Sequence, residues 1–79
     1  MPKLPRTNAK DTIKALERLG FAKVRQKGSH VIMKKQLSDR ETSQIGCVVP
    51  LHNKTLAVGT LKNILNQANV SIEEFIESL

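Results

Sequence analysis

Hydrophobic positions along this chain change their period twice, from helical spacing to alternation and back. Ala9, Ile13, Leu16 and Leu19 fall near the i, i+4 and i+7 positions of an amphipathic helix. Thr7 or Asn8 can accept a free N–H at its start. Gly20 can end it in the left-handed region. Phe21–Arg25 and Val31–Lys35 then read as two short strands, and Gly28 between them allows a tight hairpin turn. Ile45-Gly46-Cys47-Val48-Val49, rich in β-branched residues, predicts a third strand, and Pro50 stops it or marks a sheet edge. Helical spacing returns at Leu61, Ile64, Leu65 and Ala68, with Asn69 able to close the segment. Ser71 and Glu74 form a capping box, and Ile72, Phe75, Ile76 and Leu79 follow it, so a short third helix is expected over 71–79.

The predicted order is therefore α-β-β-β-α-α. A three-stranded antiparallel meander must bury one face against helices, which gives a two-layer α+β domain. Residues 1–79 form one domain. Within it, 1–8 read as an extended basic arm and 71–79 as the short C-terminal helix. Gln36–Gln44, with Leu37 its only apolar residue, reads as a mobile polar connection, and Leu51–Leu56 as a loop.

Composition limits the core. Phe21 and Phe75 are the only aromatic residues, so aliphatic side chains must fill it. The net charge is +6, and it is uneven. Residues 1–35 hold ten Lys and Arg against Asp11 and Glu17, whereas residues 70–79 hold only Glu73, Glu74 and Glu77 as charges. A positive first half points to a polyanion or an acidic protein as partner, and nucleic acid is the commoner case at this size. Cys47 is alone, so no internal disulfide forms. No apolar run approaches the ~18 residues of a membrane helix, and the first residues lack the apolar core of a signal peptide, so the cytoplasm is the expected compartment.

The candidate chemistry lies around Lys27-Gly28-Ser29-His30. Strand alternation puts His30, Ile32 and Lys34 on one face and Val31 and Met33 on the other. Arg25, Lys27, Lys34 and Lys35 surround the histidine with positive charge. An imidazole in a cationic field is suited to proton transfer at a phosphate. Taken alone, the tetrapeptide fits a plainer reading better, a surface histidine on a basic hairpin. Lys10, Lys14 and Arg18 likewise read as a solvated helix face. His30, Cys47 and His52 have no metal-ligand spacing, so neither a metal nor another cofactor is expected. Cys47, in an apolar strand, reads as a small buried hydrophobe. RNA can be cut without metal. Its 2′-hydroxyl attacks phosphorus, a base takes the proton, an acid protonates the leaving 5′-oxygen, and cations stabilise the phosphorane. His30 and His52 are the candidates for the proton transfers, although His52 also suits a structural hydrogen bond in its loop.

In order, Leu19-Gly20-Phe21, Lys27-Gly28-Ser29-His30, Val49-Pro50-Leu51-His52 and Gly59-Thr60-Leu61 with Ile64-Leu65 resemble the HicA family of toxins across roughly residues 9–69. The resemblance implies a fold like the double-stranded RNA-binding domain. It also implies a metal-independent mRNA endonuclease, monomeric when alone and held inactive by a HicB-type antitoxin. The family's catalytic histidine falls on His30, with Gly28 and Ser29 completing its motif. Gly59 and Thr60 fall on the family's Gly-Thr-Leu segment, where a helix N-terminus also suits phosphate. Arg25, Lys27, Lys34 and Lys54 complete the expected RNA contacts, and His52 is a secondary catalytic candidate. A non-catalytic RNA-binding module of the same fold is the alternative, and the imidazole of His30 separates the two.

Overall fold

The computed structural model describes residues 3–37, 44–51 and 55–79. Along the chain run helix α1 (Ala9–Arg18), strands β1 (Ala22–Lys27), β2 (His30–Gln36) and β3 (Gln44–Pro50), and helices α2 (Val58–Ala68) and α3 (Ile72–Ser78). The three strands form one antiparallel sheet in the order β1-β2-β3. The expected α+β architecture is what the chain adopts.

Local chemistry sets the helix ends. Asn8 caps α1, its side chain accepting from Asp11 N at 2.7 Å. Thr7, the other candidate cap, is buried and donates instead to Pro5 O at 3.0 Å. At the far end Gly20 takes φ 101°. Its N–H reaches Glu17 O, and Phe21 N–H reaches Leu16 O, each at 3.0 Å. This pair of bonds satisfies carbonyls the helix would leave orphaned. It also uses the Phe21 N–H outside the ladder, so β1 begins at Ala22 rather than at the expected Phe21. Asn69, at φ 55°, closes α2 in the same way, with Val70 N on Leu65 O at 2.9 Å. Ser71 and Glu74 exchange both capping-box bonds at the start of α3.

The three helices lie on one face of the sheet. Val31 and Met33 from β2 and Cys47 and Val49 from β3 are buried there. They form one core with Ile13 and Leu16 of α1, Leu61, Ile64 and Leu65 of α2, and Phe75 of α3. Phe21 adds its ring at the edge of this core, with Lys35 Nζ 6.0 Å from the ring centroid. Thr12, also buried, is satisfied by donating to Asn8 O at 2.8 Å. Residues 3–8 run beside the segment leading into α2, where Leu56 N donates to Thr7 O at 2.9 Å. Arg18 Nη1 donates to Ser78 O at 2.7 Å, tying α3 back to α1. The outer edge of β3 is partly closed by α2, since Gln67 Oε1 accepts from Val48 N at 3.2 Å.

Among the described residues, no helix covers the sheet's other face. His30 and Lys34 on β2 and Gly46 and Val48 on β3 are exposed, alternating with the buried positions. The molecule measures 35 × 32 × 18 Å along its principal axes. β1 breaks register between Lys23 and Arg25, leaving Val24 unpaired and 54% exposed. Counted back from the turn without this bulge, Lys23 would face Lys34. With it, Ala22 takes that place and Lys23 pairs with Met33. Like charges directly opposed destabilise a strand pair, so the bulge removes that conflict.

Candidate functional site

The hairpin turn is built by two residues. β1 ends at Lys27, β2 starts at His30, and Gly28 and Ser29 connect them. Gly28 has φ 58°, whereas Ser29 stays at negative φ. A glycine with positive φ at the first central position is the arrangement whose twist matches that of the flanking strands. Lys27 and His30 therefore pair directly. Gln26 Nε2 donates to Gly28 O at 3.2 Å across the base of the turn.

Pairing then fixes who surrounds His30. Lys27 lies opposite on one side and Pro50 opposite on the other. Arg25 faces Ile32, so it lies diagonally from His30 on the same face. Diagonal pairs stand about 7–8 Å apart, within reach of long side chains. Ser29 O accepts the N–H of Leu51, so the chain leaving β3 is fastened beside the turn. His30 itself is exposed on the helix-free face. That face is not wholly polar. Half-buried Ile32 and Val48, 38% exposed, pair across β2 and β3 next to the histidine.

The sequence-derived residues thus separate into groups. His30, Lys27, Gly28, Ser29 and Arg25 converge at one end of the open face. Lys34 shares the face but lies four residues from His30 along β2, about 13 Å at the usual rise. It stands opposite Ala22 and Gly46. A cation there serves a neighbouring phosphate rather than the one beside His30. Gly59 and Thr60 belong to the first turn of α2, in the helix layer. Ala57 precedes them without a side-chain cap, so the N–H groups of that turn are left for other acceptors. His52 and Lys54 lie outside the described residues.

Among the described residues no three His, Cys, Asp or Glu side chains converge as metal ligands. Cys47 is buried, and burial pushes its thiol up to about 11, which suppresses the nucleophilic thiolate. Also among the described residues, no helix is long and apolar enough to cross a membrane. One residue gains a role that sequence reading did not give it. Arg6 lines two clefts, one with the residues entering α2 and one against α1. The contact depends on the tertiary bond between Thr7 and Leu56, and no local pattern announces it.

Residues 9–70 match the family model described as the HicA toxin of bacterial toxin-antitoxin, which is well over half of the chain. No match is found among curated proteins.

Proposed function

We propose that this chain, which belongs to the HicA toxin family, is a metal-independent endoribonuclease that cleaves mRNA on the open face of its sheet. The observation that carries the reading is the exposed His30, paired with Lys27 and flanked diagonally by Arg25 on a face that no helix covers among the described residues. An RNA strand can lie there with a phosphate against the two cations.

The chemistry follows from those positions. The ribose 2′-oxygen attacks the adjacent phosphorus and the bond to the 5′-oxygen breaks. His30 takes the proton from the 2′-hydroxyl or gives one to the departing 5′-oxygen. Lys27 and Arg25 stabilise the extra negative charge on the phosphorane. Lys34 holds a phosphate further along the strand. His52, next in sequence after Leu51, is the candidate for the second proton transfer. Lys54, Gly59 and Thr60 add further backbone contacts, the last two through free N–H groups of the α2 terminus. DNA lacks the 2′-hydroxyl and is no substrate.

A toxin of this family implies a partner that restrains it. The reading identifies that partner as a HicB-like antitoxin that occludes the His30 face of a monomeric, cytoplasmic toxin. Exposed Val48 and half-buried Ile32 give that face an apolar centre, and Arg25, Lys27 and Lys34 give it a charged rim. Protein interfaces have this anatomy.

The end groups of the RNA products test the chemistry. Attack by the 2′-oxygen leaves a 2′,3′-cyclic phosphate or its hydrolysed 3′-phosphate, together with a 5′-hydroxyl, and excess chelator changes nothing. Products carrying 3′-hydroxyl and 5′-phosphate ends would mean attack by water and would overturn the mechanism. RNA binding without cleavage would favour the non-catalytic module.

A further inference from the structure

Away from the open face, α1 and the residues before it enclose a second basic feature. A cleft of about 380 Å³ is lined by Arg6, Lys14 and Arg18, with Asp11, Pro5 and Leu79 among its walls. The helical period places Lys14 and Arg18 one turn apart, about 6 Å along the axis. Arg6 arrives from outside the helix, held by the burial of Thr7 and the Leu56–Thr7 bond. Arg18 is oriented by its bond to Ser78 O, which uses one donor of its guanidinium fork and leaves the others for a ligand. Set against Asp11, the three cations leave the cleft positive.

Its chemistry favours one occupant. A protein partner docks around an apolar centre, and this cleft offers only Pro5 and Leu79 as apolar walls. A single nucleic-acid strand needs only repeated positive charge, because it carries a charge at every nucleotide. The longest extent of the molecule is 35 Å, and a strand of about 16 nucleotides at about 3.4 Å each exceeds it, so a strand leaving the open face can pass around to the helix side.

We propose that the Arg6–Lys14–Arg18 cleft is a second anchoring site for the phosphate backbone of the RNA, remote from His30. It engages substrates long enough to pass from the sheet face to α1. This rests on the reading of the protein as an RNA-binding toxin, and it adds a length dependence which that reading does not require.

The test is RNA affinity by fluorescence anisotropy across a salt series, on His30→Ala protein so that the probe stays whole. Two probes are used, of about 4 and about 16 nucleotides, a range typical of small single-strand binders. Replacing Arg6, Lys14 and Arg18 with Gln is expected to reduce the salt slope for the longer RNA by about 2, at ~0.7 per lost phosphate contact. The short RNA is expected to bind as before. Because Arg18→Gln also loosens α3, a second variant carries only Arg6→Gln and Lys14→Gln, with an expected reduction of about 1.4. Unchanged binding of the longer RNA by both variants overturns the proposal, as does equal weakening on both probes. Slowed antitoxin association with RNA binding intact also overturns it, and assigns the cleft to a protein. If the parent His30→Ala protein binds neither RNA, the underlying functional reading fails first.

Discussion

Gly28→Ala isolates the physics of the turn that presents His30. Gly28 has φ 58°, and a Cβ added there would meet nothing within 4 Å. The substitution therefore carries no packing term, and its cost is the backbone preference alone. Holding an L-residue in the left-handed half of φ costs roughly 1–2 kcal/mol. Losing glycine's freedom in the unfolded chain offsets about 0.4–1 kcal/mol of that. The net expectation is a loss of about 1 kcal/mol, or about 4–8 °C in Tm for a domain of this size. Thermal unfolding followed by circular dichroism measures it. A chemically synthesised chain with D-alanine at position 28 is the control, because a D-residue favours positive φ and should restore the native Tm. The enzymatic effect should exceed the loss of stability, since the Lys27–His30 pair depends on the two-residue turn. If Gly28→Ala unfolds at the native temperature, or if D-alanine fails to restore it, the turn does not need the left-handed residue and the reasoning is refuted.

Other consequences follow from separate parts of the molecule. Phe75 is fully buried and fixes α3 to the core, so Phe75→Ala should cost about 3–5 kcal/mol in denaturant titration, whereas a loss under 1 kcal/mol would mean α3 is dispensable. Burial raises the Cys47 thiol from 9.0 to about 11, so its contribution to stability is fully present below pH 9.0 and is lost as pH rises through about 11. Cys47→Ala should flatten that alkaline limb, and an identical pH profile for both proteins would contradict the assignment. Replacing Arg25, Lys27 and Lys34 with Gln should slow antitoxin association, weaken its salt dependence and lower the RNA salt slope by about 2. Antitoxin binding that ignores these cations while RNA binding falls would place the antitoxin elsewhere, such as on α3.

Local chemistry explains which features the sequence already discloses. The Gly20 terminus, the Ser71–Glu74 box, the Gly28 turn and the alternation from Val31 to Met33 each depend on residues a few positions apart. What sequence reading misses depends on tertiary partners. Phe21 looks like a strand residue, yet its N–H closes α1 and its ring joins the core. The Val24 bulge depends on the residue β2 sets opposite Lys23. Thr12 and Ala15 are polar or small and escape a hydrophobic periodicity, yet both are buried. At the candidate site, the face shared by His30 and Lys34 follows from alternation. The ~13 Å between them is equally a matter of counting the strand rise. That Lys27 and Pro50 flank the histidine requires the register of three strands. Arg6 meets α1 only because residues 3–8 pack against the segment before α2.

The central claim is that the imidazole of His30 does chemistry rather than contributing charge to binding. Purified native and His30→Ala proteins are each incubated with the same RNA in excess chelator, and the cleavage rate and the RNA affinity are measured together. General acid–base catalysis by one side chain contributes about 10²–10⁴-fold. The expected result is a rate loss of at least that order for His30→Ala, with affinity close to native because Arg25, Lys27 and Lys34 remain. An alanine protein that cuts RNA at the native rate would contradict the account outright.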